Sequence, residues 1–216
     1  METIASDITG AEFWITVFIA CLFGAMSPGP SLGVIVNHSL IKGRMAGFSA
    51  AISHGFGIGL YALVTTFGLA KIIQQNNELF SLIQFIGCLF LLFLSVKLIF
   101  SENQPDSLDV ELTSVSSNLR AARDGMFIAL LNPKILVFFT ALFSQFVRIE
   151  STNIEKLYLA LIAGSIDAAW YLFVALIISS SVPRSRLQNI GFWLDKVFGL
   201  FLAVIAIRFI LQLNVI

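Results

Sequence analysis

Phe13 to Asn37 reads FWITVFIACLFGAMSPGPSLGVIVN, and Ser27-Pro28-Gly29-Pro30 at its centre breaks what hydropathy would make one continuous helix. A second apolar run, Gly125–Val147, is cut in the same way by Asn132-Pro133-Lys134. Proline has no N–H, so in a helix Pro28 and Pro30 leave the carbonyls of Gly24 and Met26 without donors, and Pro133 does the same to Ala129. In hydrocarbon that loss is costly. Broken backbone at membrane depth is tolerated where it is buried in protein or lines a polar cavity, and transporters hold their cargo in such cavities.

Composition makes the membrane the expected solvent. The chain is 57% hydrophobic and 12% charged, with 21 Phe, whereas an ordinary soluble domain carries about 25% charged residues. Six apolar runs are legible, Phe13–Asn37, Gly47–Ile73, Leu82–Phe100, Gly125–Val147, Leu157–Val182 and Ile190–Leu213. Each is near the ~20 residues that cross a bilayer. Met1 to Glu12 holds Glu2, Asp7 and Glu12 but no Lys or Arg, unlike a cleavable signal peptide, so the first helix is expected to be retained.

Lys and Arg near helix ends favour the cytoplasmic side. One set of connections carries Lys42, Arg44, Lys97, Arg120, Arg123, Arg184, Arg186 and Lys196; the other carries Lys71, Arg148, Lys156 and Arg208. Both termini are therefore expected outside the cytoplasm. The connection 101–119, rich in Ser, Asp and Glu, reads as a flexible cytoplasmic loop that divides one transporter domain, 1–216, into halves 1–100 and 120–216. Each half opens with a proline-broken helix. Each closes with a similar helix, Phe85-Ile86-Gly87-Cys88-Leu89-Phe90 against Val197-Phe198-Gly199-Leu200-Phe201-Leu202. Three helices per half is an odd number, so the second copy runs inverted. The expected fold class is an all-α membrane protein of six transmembrane helices, a 3+3 inverted repeat with broken first and fourth helices.

Gly43, Gly47, Ala51, Gly55 and Gly59 form a small-residue ladder in the second run, and Ala160, Gly164 and Ala168 a shorter one in the fifth. Such stripes let helix backbones approach closely. Few ionisable residues lie far from a helix end. Asp167, near the middle of the fifth run, reads either as a proton-coupling carboxylate or as a structural hydrogen-bond partner. Trp170 and Tyr171, one turn on, wall the same cavity or simply pack. Lys134 and Asn132 present a cation and an amide beside freed backbone, which suits a carboxylate-bearing ligand, as do helix amino-terminal ends restarting after Pro30 and Pro133. The alternative for Lys134 is an ion pair with Asp167 or a snorkelling side chain. His54, among glycines, reads as a proton relay or as a structural hydrogen bond. The substrate-binding set is thus Pro28, Gly29, Pro30, Asn132, Pro133 and Lys134, and the proton-coupling set Asp167 and His54. No metal site is expected, since His38 and His54 are the whole His supply.

The ordered set Ser27-Pro28-Gly29-Pro30, Gly43, Gly47 and Gly55 to Gly59 closing at Gly68-Leu69, Asn132-Pro133-Lys134 with Phe138-Phe139 and Gln145-Phe146-Val147, Gly164 to Asp167 with Trp170-Tyr171, and Leu194-Asp195-Lys196 to Gly199 resembles the lysine/homoserine exporter family (LysE/RhtB type) over nearly the full chain. That resemblance implies a bacterial inner-membrane exporter of small amino acids or their derivatives, driven by the proton-motive force. Two positions depart from the pattern: Gly57-Ile58 where many relatives have Gly-Asp, and Ser144 where many have Pro. If the missing acid couples protons in those relatives, Asp167, His54 or both take its place here.

Other classes fit less well. A thiol-redox conduit would want a cysteine beside each break, but Cys21 lies in the first run and Cys88 in the third. A divalent-metal exporter lacks clustered ligands. An enzyme lacks a nucleophile–base–acid set and enough soluble chain to fold a catalytic domain. The expected partners are an amino acid, protons and the lipid bilayer, with no nucleic acid and no cofactor; a homodimer is compatible with this reading.

Overall fold

Proline, glycine and short polar side chains set the ends of the helices in the computed structural model, which describes residues 10–27, 29–100, 117–148, 151–178 and 184–212. Pro28 and the stretch 101–116 of the expected cytoplasmic loop lie outside the described residues. Among the described residues eight helices follow in order: α1 (Ala11–Met26), α2 (Pro30–Lys42), α3 (Arg44–Gln75), α4 (Asn77–Ile99), α5 (Asn118–Leu131), α6 (Pro133–Phe146), α7 (Asn153–Ile178) and α8 (Arg184–Gln212). No strand occurs among the described residues.

Pro30 and Pro133 each stand in the first turn of a new helix, where a missing N–H is no loss. Gly43 separates α2 from α3 with φ +79°, a left-handed conformation that favours glycine. This corrects one sequence expectation: Gly43 is a turn residue, and the ladder proper begins at Gly47. Asn76 caps α4, its Oδ1 accepting from the Leu79 N–H at 2.9 Å. At the start of α7, Thr152 N–H donates to Glu155 Oε2 (2.7 Å) while Glu155 N–H donates to Thr152 Oγ1 (3.1 Å), a reciprocal capping box.

Three helices, α3, α4 and α7, are long and apolar enough to cross a membrane. Two bent pairs pass the same test together, α1 with α2 at 61° and α5 with α6 at 55°, which gives up to five crossings among the described residues. In chain order one bent pair precedes α3 and α4, and the other precedes α7 and α8. The surface is apolar as well: Phe56, Val64, Phe93 and Val204 are all more than half exposed. An apolar exterior of this extent suits lipid contact.

α3 and α7 meet backbone to backbone. A methyl built on Gly55 would come within 2.5 Å of Ala168 Cβ and 2.7 Å of the Gly164 carbonyl oxygen, and one on Gly164 would come within 2.7 Å of the Gly55 carbonyl oxygen. The two ladders thus face each other, and a side chain at either glycine would wedge the helices apart. α8 lies along α4, where a methyl on Gly199 would meet Ser95 O and Ile99 Cγ1, both at 2.9 Å. Phe-rich packing fills the rest: Phe138, Phe139, Phe143 and Phe146 of α6 share a core with Phe13 of α1 and Phe198 of α8. These contacts hold the two breaks and the middle of α7 around one interior space.

Candidate functional site

The first break is built without side-chain caps. Ser27 ends α1 with its N–H donating to Phe23 O (3.0 Å), Gly29 is extended, and no side chain caps α2. The second break caps itself. Asn132 is held extended by the proline that follows it, and its Oδ1 accepts from the Lys134 N–H at 3.0 Å. The two breaks touch. Asn132 Nδ2 donates to Ser31 Oγ (3.5 Å), and Lys134 Nζ donates to Ser27 Oγ (2.8 Å).

Asp167 of α7 and His54 of α3 form a direct pair, His54 Nδ1 to Asp167 Oδ2 at 2.6 Å, with exposures of 1% for His54 and 5% for Asp167. An acid and an imidazole at that distance share a proton in a charge-assisted hydrogen bond. The His54 ring meets the Tyr171 ring edge-on, centroids 5.0 Å apart. His54 Nε2 is buried without a hydrogen-bond partner among the described residues.

Ser27, Gly29, Asn132, Lys134, His54 and Asp167 line a single cavity of about 40 Å³. Ile58, Leu94, Ile135, Phe138, Phe139 and Phe198 supply its apolar wall. That volume holds roughly two or three waters. Pro30 and Pro133 shape the breaks but are exposed and do not line the cavity. Tyr171 lines it; Trp170 instead packs toward Val36, Val174 and Ile178. Asp167 is paired with His54, and Lys134 Nζ meets Ser27 Oγ.

Sequence reading missed one acid. Ser27 Oγ donates to Asp195 Oδ1 at 3.4 Å, so the Lys134 ammonium, a hydroxyl and a carboxylate from α8 stand in line. The apolar run starting at Ile190 put Asp195 near a helix end, where acids are ordinary. α8 begins at Arg184, which places Asp195 about three turns inside it. The signal available was an acid beside a base, Asp195-Lys196, and these two side chains go separate ways: Lys196 Nζ donates to Ile99 O at the end of α4.

Away from the cavity, fully buried His38 of α2 meets Asp124 of α5, Nε2 to Oδ2, at 3.2 Å. Among the described residues no group of three His, Cys, Asp or Glu side chains comes together to hold a metal ion. Both cysteines are buried thiols.

The sequence pattern of LysE type translocators matches residues 22–213. The chain is similar to the uncharacterized membrane protein YahN of Escherichia coli (strain K12), 27% identical over 98% of this chain and 94% of that protein. It is similar to a leucine efflux protein of Enterobacter sp. (strain 638), 25% identical over 81% of this chain and 82% of the relative. A leucine efflux protein of Salmonella typhimurium is 21% identical over 91% of this chain and 93% of its own length. No solved structure matches the chain.

Proposed function

The chain belongs to the LysE type translocator family, and from that premise we propose that it exports an amino acid across the bacterial inner membrane, driven by the proton-motive force. The observation that carries this reading is the convergence of both helix breaks and the buried His54–Asp167 pair on one cavity. In this reading the amino acid's carboxylate meets Lys134 and the amide of Asn132, and its side chain lies against Ile58, Leu94 and Phe138. An apolar wall favours an aliphatic side chain over a charged one. Leucine, named in two of the relatives, is the first substrate to test.

Asp167 takes a proton from the outside and His54 holds it in place, so that protonation drives the return step. In this reading the helices move apart to widen the cavity around an amino acid. The facing ladders of α3 and α7 suit rocking of one half against the other. Each bent pair counts as one crossing and α8 as the sixth, which gives halves 1–100 and 120–216 in inverted orientation with both termini periplasmic.

Everted vesicles test the reading. Labelled leucine, in a panel of amino acids, should accumulate when a proton gradient is imposed and be lost on adding an uncoupler. Gradient-independent, non-saturable entry of every amino acid in the panel would overturn it.

A further inference from the structure

We infer that Asp195 is a positioning residue that sets the placement of the Lys134 ammonium through the Ser27 hydroxyl, and competes with the ligand's carboxylate for that cation. The inference rests on the proposed export reading, in which Lys134 receives the carboxylate. Three elements far apart in sequence supply the parts: Ser27 ends α1, Lys134 lies in the first turn of α6, and Asp195 comes from the interior of α8.

The hydroxyl has one proton and accepting lone pairs. Here it accepts from Lys134 Nζ at 2.8 Å and donates to Asp195 Oδ1 at 3.4 Å, which is the orientation that a cation on one side and an anion on the other both favour. Ser27 is 6% exposed, so little water screens the exchange. Lys134 and Asp195 are both half-buried, and Asp195 is an acid bonded to the same hydroxyl as the cation. The other nearby acid, Asp167, is engaged by His54 at 2.6 Å.

The lining of the cavity adds direction. Ser27 and Lys134 line it, while Asp195 stands behind Ser27 and outside it. A ligand held in the cavity meets the ammonium there. Its carboxylate draws the ammonium from the Ser27–Asp195 side, and release returns it. Asp195 then weakens binding and hastens release, the opposite of what a structural residue does.

The test compares leucine with leucinamide, which lacks the carboxylate, on the full chain in lipid nanodiscs and in proteoliposomes. Asp195→Asn should tighten leucine binding roughly tenfold, the scale of one charge-assisted hydrogen bond, leave leucinamide within twofold, and slow leucine exchange by a similar factor. Asp195→Glu should restore the wild-type difference between the two probes. Where Asp195→Asn does not fold, Ser27→Ala cuts the same relay and should shift leucine in the same direction. Weakened binding of both probes, or an unchanged leucine affinity in a folded variant, would overturn the positioning role while leaving the export reading intact. A wild-type protein that binds no amino acid in the panel would overturn the export reading, and this inference with it.

Discussion

Asp167 lines the cavity and Asp195 bonds the Ser27 hydroxyl that lines it, yet the two acids are mounted in different ways. Asp167 touches His54 directly at 2.6 Å, between two helices whose backbones are in contact through Gly55 and Gly164. Asp195 of α8 and Lys134 of α6 share the Ser27 hydroxyl at the first helix break. A short, buried pair on closely packed helices suits holding a proton in a fixed place. A long, flexible lysine joined to its acid by a hydroxyl suits a partner that is exchanged for a ligand. In the proposed reading the two acids serve different purposes because their mountings differ in stiffness.

The comparison breaks most readily at Asp167. Asp167→Asn should lower proton-driven leucine flux in proteoliposomes by about 100-fold or more, with the purified protein still eluting as a folded species. Wild-type coupled flux in that variant would remove the difference between the two acids. Next in size is Lys134→Ala, for which KM for leucine should rise about tenfold, the loss of one charge-assisted hydrogen bond, while binding of leucinamide changes little. Equal losses for both probes would mean that Lys134 does not meet the carboxylate.

Stability measurements sharpen the contrast in stiffness. Gly55→Ala places a methyl 2.5 Å from Ala168 Cβ and should cost about 1–3 kcal/mol by overpacking, read as a lowered thermal transition in detergent. An unchanged transition would show that α3 and α7 have room to separate. The smallest effect is expected at the second break, where Asn132→Ala removes the cap on α6 and should cost about 1 kcal/mol. Asn132→Ser should recover most of it. The first break has no side-chain cap to lose, so the two breaks differ in how each is finished.

Much of the frame was legible from the chain. Pro30 and Pro133 announce their helix starts, because a missing N–H acts on the residues immediately around it. Gly47, Gly55 and Gly164 announce close packing by their spacing. Gly43 misled, since it fits the ladder by period and only its φ of +79° shows the turn. The apolar run at Ile190 likewise hid the polar opening of α8, so that Asp195 read as a terminal residue. Asp167 was visible as an acid far from any helix end, but its partner was not.

Sequence alone determined that the chain is apolar, helical and interrupted twice, since hydropathy, proline and glycine act over a few residues. Which charges stand together was decided only by tertiary structure. His54 and Asp167 are 113 residues apart, and Ser27 and Asp195 are 168 apart. Pairings at that range depend on which helices the small residues allow to touch and on how far each break turns the chain. Local rules specify neither, and the packed helices specify both.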